Sequence, residues 1–328
     1  MNTSTTTRRA LCVALLAAAT GATWAQPAER FPSRPIKLIV AFAPGTGSDT
    51  VARIVAGAMG TALGQTVIVE NHSGAAGTLG PEQGAPAPAD GYTLTLATTS
   101  TLLTNPALTP KLRYRPAKDF VPVAGLARTP FVLVTADTAG TPRSLAELKA
   151  RLASSGGAFG SSGTGTIGHL AAEYFLREAG VKAVHVPYRG SGQALSDVAG
   201  GQLLFACDTV AAALPLIRGG LLRALAVSAP QSLSALPGVP TGVQAGMPSF
   251  ELSAWWGLVA PAGTPPAAVA ALSDAVLKAL AAPEVRKTLD AQQLEPLPLD
   301  AAAFGALMRD EAPFWTGFVR RSGIRLDG

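Results

Sequence analysis

Along this chain, short β-rich runs alternate with stretches whose apolar residues recur at helical spacing. Residues 35–42 are mostly branched and apolar, and the glycine loop Pro44-Gly45-Thr46-Gly47-Ser48 follows at once. From 49 to 63 the apolar positions Val51, Ile54, Val55, Met59 and Leu63 share one helical face, and Gly64-Gln65 ends the pattern. Residues 66–70 read as the next strand. Strand, helix and strand within ~35 residues make a βαβ unit, which predicts a parallel sheet. Further strands are predicted at 92–97 and 131–134, and a helix at 144–149. A second unit starts with a strand at 158–160, turns through Ser161-Ser162-Gly163-Thr164-Gly165-Thr166 and enters a helix over Ile167–Ala179. Strands at 184–188, 203–208 and 222–227 follow, then helices at 264–280, 284–289 and 301–321. Thr264 before Pro265-Pro266 is a helix entry signal. Nothing repeats with a solenoid period, and the likeness of the two strand–glycine–helix units predicts two similar α/β domains facing each other.

The first residues differ from this pattern. Arg8-Arg9 precede an uncharged run from Ala10 to Ala19, and small residues lead to Thr23-Trp24-Ala25. That order is a secretory signal peptide, predicted to be removed after Ala25 so that the exported chain begins at Gln26 in the periplasm. The apolar run is about ten residues, well short of the ~20 a membrane-spanning helix needs. Cys12 would leave with the peptide, so Cys207 would be the one remaining cysteine and no intramolecular disulfide could form. Stability must then come from burial, for which 48 % hydrophobic and 14 % charged residues are well suited. Without the two leader arginines, 24 of the 26 basic residues face 21 acidic ones. No basic run with interleaved aromatics exists, which argues against nucleic acid as a partner.

The two glycine loops are where chemistry is expected. Each sets backbone N–H groups at a helix start, where unpaired donors and the positive end of the helix dipole favour an anion. A carboxylate can be held this way without any lysine or arginine. One such loop is an ordinary turn; two, both rich in Ser and Thr and one in each half, point to binding. Asp49 has a capping role open to it, or could accept from a ligand hydroxyl or ammonium.

Other chemistries find less support. Gly163-Thr164-Gly165-Thr166-Ile167-Gly168 fits G-x-G-x-x-G, but the next strand ends Pro187-Tyr188-Arg189 and supplies no acid for a ribose. Neither loop contains the lysine of a phosphate loop, and no nucleophile elbow is present. His72, His169 and His185 match no zinc spacing, so no metal and no cofactor are expected. A Ser-His-Asp hydrolase assembled from Ser161 or Ser162, His169 and Asp208 lacks an orienting element and ranks below binding. Cys207 on an apolar strand reads as a small buried hydrophobe.

At these loops the chain resembles the extracytoplasmic receptors of tripartite tricarboxylate transporters, also called Bug receptors. The resemblance rests on Phe31-Pro32-Ser33-Arg34-Pro35-Ile36, Ala43-Pro44-Gly45 through Arg53, Asp90-Gly91-Tyr92-Thr93-Leu94 and Lys118-Asp119-Phe120-Val121-Pro122-Val123. It continues through Gly160-Ser161-Ser162-Gly163, Val186-Pro187-Tyr188-Arg189-Gly190, Arg223-Ala224-Leu225-Ala226-Val227 and residues 257–265. It implies an α/β periplasmic-binding-protein-like fold of type II, with a ligand cleft between two α/β domains: 26–128 with 250–328, and 129–249. The chain would cross near Ala127-Arg128 and return near Ser249-Phe250. It further implies a monomeric, non-enzymatic receptor for a small organic carboxylate, delivering it to membrane permease subunits; a periplasmic sensory component is the alternative.

Carried onto this sequence, the binding residues are Phe42, Gly45, Thr46, Gly47, Ser48, Asp49, Ser100 and Thr101 from the first part of the chain. From the second come Ser161, Ser162, Gly163, Thr164, Gly165, Thr166, His169, Tyr188, Arg189, Gly190 and Asp208. Two positions depart from the family pattern. Thr46 stands where glycine is usual, adding a hydroxyl and bulk at the mouth of the site. Leu102 stands where histidine is usual and, on reaching the cleft, would favour an apolar or aromatic acid over one with a second charged end.

Overall fold

Strand-forming runs punctuated by glycine and proline give ten strands joined in one curled, mixed sheet. This computed structural model describes residues 31–109, 111–248, 250–322 and 324; the leader, with Arg8-Arg9, Cys12 and the predicted cleavage point, lies outside the described residues, as does Ser249. In chain order, β1 (Ile36–Val40), α1 (Gly47–Leu63) and β2 (Val67–Asn71) form the expected first unit. They are followed by α2 (Leu79–Gly84), β3 (Thr93–Thr98), a π-helical turn (Ser100–Thr104), α3 (Asn105–Leu108) and α4 (Pro116–Asp119). A long β4 (Phe120–Ala136) leads to α5 (Leu145–Ser155), β5 (Ala158–Ser161), α6 (Ile167–Ala179) and β6 (Val184–Pro187). Then come α7 (Ser191–Ala199), β7 (Phe205–Thr209), α8 (Val210–Arg218) and β8 (Leu222–Val227). The chain closes with β9 (Ser253–Pro261), α9 (Pro266–Ala281), α10 (Pro283–Ala291), β10 (Glu295–Pro296) and α11 (Ala301–Ser322).

The predicted parallel pairing holds on the two flanks, where β1 lies between β2 and β3, and β5 between β6 and β7. The centre is antiparallel instead. β9 inserts between β3 and β4, and β4 also runs antiparallel to β7 and β8. Up to Pro130, β4 pairs with β9; from Phe131 onward it pairs with β7, and from Val132 with β8. One strand thus serves both halves of the sheet, and β9 runs beside it in the opposite sense.

Sequence periodicity anticipates only residues 131–134 of β4, because Pro122, Gly125 and Pro130 read as strand breakers. The strand absorbs the first two with register shifts between Pro122 and Ala124 and between Gly125 and Ala127. β9 escapes prediction for a different reason: residues 255–261 are buried throughout, so no polar alternation marks it. Helices α7 and α8 are also additional to the expected set.

Phe159, Phe175 and Phe205 share an extended core cluster with Trp255, Phe304 and Trp315. Cys207 is fully buried in it; burial pushes its thiol well above the ordinary range, which suits an inert hydrophobe rather than a nucleophile. Among the described residues, no helix is long and apolar enough to cross a membrane, and no group of three or more His, Cys, Asp or Glu side chains could hold a metal.

Candidate functional site

Four helix starts converge on one cavity of about 90 Å³. The first is that of α1. Gly45 takes a positive φ of 81°, which turns the chain after β1 so that Thr46 caps the helix: its hydroxyl donates to Ala43 O at 2.8 Å and accepts from Asp49 N at 3.4 Å. Gly47 and Ser48, the first two helical residues, line the cavity with Thr46 and Phe42. Their amides have no carbonyl one turn back to bond. Ser48 Oγ accepts from Trp256 Nε1 at 2.8 Å, so the serine's own proton is left to donate elsewhere.

The second start is that of α6. Thr166 Oγ donates to Gly163 O at 2.8 Å, and Ser162, Thr166, Ile167 and Gly168 line the cavity. Helices α7 and α8 supply the third and fourth starts through Gly190 and Ser191, and through Thr209, whose hydroxyl accepts from Ala212 N at 3.3 Å. Ser100, Thr98 and Thr99 add hydroxyl-bearing wall, while Phe131, Trp255 and Trp256 add apolar wall. No lysine or arginine lines the cavity among the described residues; its single ionisable lining side chain is Asp208.

Asp208 is buried, and burial raises its pKa to about 6 against opposing help from Ser191 and Thr209. Oδ1 accepts from Thr209 N at 2.7 Å. Oδ2 has no hydrogen-bond partner, although Ser191 stands near enough to the carboxylate to lower its pKa.

Of the residues expected at the site, Phe42, Thr46, Gly47, Ser48, Ser100, Ser162, Thr166, Gly190 and Asp208 line the cavity. The others stand behind it or away from it. Gly45 N donates to Asp49 Oδ2 at 2.9 Å, an oxygen that also accepts from Arg53 Nε at 2.9 Å, while Asn71 Nδ2 donates to Oδ1 at 2.9 Å. Burial alone would raise the Asp49 pKa, but the bonds from Arg53, Gly45 and Asn71 outweigh it and hold it below the usual carboxylate range. Asp49 therefore locks the first loop in place. Asp49→Ala is expected to cost about 2 kcal/mol in urea denaturation, since it removes the three hydrogen bonds that Gly45 N, Arg53 and Asn71 make to a buried carboxylate. Because the folded pKa is depressed, the wild-type contribution is complete above the carboxylate range and fades as pH falls through it.

Thr101 is buried, bonded within its turn to Thr98. Leu102 is packed in the core and does not line the cavity, so the preference for an apolar acid built on it falls away. Thr46 does reach the cavity, but its hydroxyl is occupied in capping; its methyl faces Gly190, where an added Cβ would stand 3.7 Å away.

In the second loop, Ser161 Oγ lies 2.7 Å from His185 Nε2 and accepts from Gly163 N at 3.2 Å. Gly165 N donates to His169 Nδ1 at 3.0 Å, so the His169 proton sits on Nε2, toward Glu173. The two imidazoles stack with centroids 3.7 Å apart, and burial, then the neighbouring His169, lowers the His185 pKa to about 3. Ser161, Gly163, Gly165 and His169 thus build the loop from behind, with Thr164 beside them. Serine and His169 are not paired, so the imagined triad is not assembled. Tyr188 bonds Asp197 away from the cavity, and Arg189 is exposed.

Sequence reasoning missed the indole walls and the third and fourth helix starts. Cys207-Asp208-Thr209 ahead of Val210–Arg218 carries the same signal as the two glycine loops: a strand end, a hydroxyl cap, then a helix. Trp255 and Trp256 carry no such local signal.

The fold is that of periplasmic binding proteins. The model of the tripartite tricarboxylate transporter family receptor matches residues 51–324. Protein BugT of Bordetella pertussis is 34% identical over 324 residues, covering 98% of this chain and 99% of that relative. The solved structure of MatC (Rpa3494) from Rhodopseudomonas palustris with bound malate superposes with a TM-score of 0.83 at 35% identity, covering 88% of this chain and 100% of that one. R. palustris Rpa4515 with adipate superposes at 0.85 and 31% identity, covering 90% and 99%.

Proposed function

We propose, since the chain belongs to the family of tripartite tricarboxylate transporter receptors, that this solute-binding receptor captures a small organic carboxylate beneath its four helix starts. The family is one of receptors and not of enzymes, and the protein carries out no reaction on its ligand. The observation that carries the carboxylate reading is the convergence of the starts of α1, α6, α7 and α8 on a cavity that, among the described residues, no lysine or arginine lines. Each helix end supplies roughly half a positive charge and unpaired amides, so an anion is favoured without a side-chain cation. A four-carbon malate and a six-carbon adipate in two solved relatives support the same class. So does size: about 90 Å³, at roughly 10–15 Å³ per water-sized group, admits roughly six to nine such groups.

In this reading residues 26–128 with 250–328 form one lobe and 129–249 the other. The chain crosses where β4 exchanges β9 for β7 and β8, and the lobes close over the ligand. Export to the periplasm on a leader cut after Ala25, a monomeric state and delivery to membrane permease subunits belong to the same proposal.

The test is a thermal-shift panel. Saturation at a hundred times Kd adds about 2.7 kcal/mol to the folded state, so at least one mono- or dicarboxylate is expected to raise the melting temperature by several degrees. Sugars and metal cations are expected to leave it unchanged. A panel of acids without effect, beside a clear shift from an uncharged solute, overturns the carboxylate reading.

A further inference from the structure

Asp208 is an acidic side chain in the wall of a cavity whose helix starts favour anions. The residue is 4% exposed, it lines the cavity, and its Oδ2 lacks a partner. Such a buried acceptor is costly to leave unmet, and it repels an incoming carboxylate. A hydrogen-bond donor on the ligand resolves both difficulties.

We propose that Asp208 selects for a hydroxyl on the carbon next to the ligand's carboxylate, making this a receptor for 2-hydroxy acids. The position follows from the chain. Asp208 directly precedes Thr209, the cap of α8, and Ser191 at the start of α7 lies beside its carboxylate. A ligand carboxylate drawn to those helix ends therefore sits next to Oδ2, and only a donor one or two bonds away reaches it. The donor is a hydroxyl and not an ammonium because the four positive helix ends that hold the carboxylate oppose a second cation. The lining walls offer that cation no acidic partner besides Asp208 among the described residues. A site built to bond a hydroxyl rejects the analogue lacking it far more strongly than a greasy pocket rejects an extra methylene.

This inference rests on the carboxylate reading, and calorimetric titration separates the two. The probes are matched pairs of three lengths: lactate and propionate, L-malate and succinate, 2-hydroxyadipate and adipate, with L-aspartate as the ammonium counterpart of malate. In the best-binding pair the hydroxy acid is expected to bind at least ten-fold more tightly, and aspartate more weakly than malate. In Asp208→Asn that ratio is expected to fall to within about three-fold, because the amide can donate to the plain carboxylate. A wild-type ratio near one, a ratio unmoved by Asp208→Asn, or tighter binding of aspartate than malate overturns the hydroxyl assignment alone. No binding by any member of any pair overturns the carboxylate reading with it. The wild-type ratios decide the matter even where the variant does not fold.

Discussion

Gly163→Val is expected to abolish ligand binding, a loss of more than about a hundred-fold, while Arg189→Ala stays within about two-fold of wild type. Space is not the reason: a Cβ at Gly163 would find its nearest neighbours at 3.6 Å. The backbone is. Gly163 sits at φ 138°, a conformation a β-branched residue is essentially barred from, so valine forces the loop elsewhere. What the loop loses is specific. Gly163 N donates to Ser161 Oγ, and Gly163 O accepts from Thr166 Oγ, the residue that opens α6 onto the cavity. Moving this hub turns Ser162, Thr166 and the amides of Ile167 and Gly168 away from their common focus. Arg189, exposed and off the cavity lining, has no such leverage. Calorimetry on both variants, with circular dichroism to establish folding, makes the comparison. A dead Arg189→Ala beside a competent Gly163→Val means that a side-chain charge holds the anion.

The same glycine marks what the chain discloses locally. Strand, glycine-rich turn, Ser or Thr cap and helix are neighbours in sequence, so Thr46, Gly47, Ser48, Ser162 and Thr166 could be placed at the cavity before any fold was known. Which way a side chain turns within such a loop is not local. Asp49 folds back onto Gly45 N because Arg53 and Asn71 stand there to meet it, and Asn71 arrives from β2. His169 likewise spends its Nδ1 on Gly165 N and its ring face on His185, which comes from β6. Gly163 spends its N–H on Ser161 Oγ in the same way and acts through loop shape. The indole walls were the least legible part. Trp256 reaches Ser48 because β9 inserts between β3 and β4, a pairing that joins residues more than a hundred positions apart.

Gly168→Val is expected to remove both ligand binding and a large part of the stability, whereas Gly192→Ala, at the start of a neighbouring helix, is expected to be neutral or slightly stabilising. Both glycines lie in the first turn of a helix at the cavity, α6 and α7. They differ in what a side chain would meet. At Gly168 even a Cβ would stand 2.7 Å from Cys207 O, a backbone atom of β7 that cannot move without carrying Asp208 with it. Helix α6 must then lift from the strand, separating its free amides from Asp208 and Thr209. Overpacking of this kind typically costs 1–3 kcal/mol, and a β-branched chain against backbone falls at the upper end, about 3 kcal/mol. At Gly192 nothing lies within 4 Å, so alanine adds helix propensity without a clash, a gain of at most about half a kcal/mol in a first turn. Urea denaturation gives the stabilities, and calorimetric titration with the best-binding acid gives the site. Equal stability of the two variants, or retained binding by Gly168→Val, means that the start of α6 can leave β7 without disturbing the anion, and that the contact of Gly168 with Cys207 does not set the geometry of the cavity.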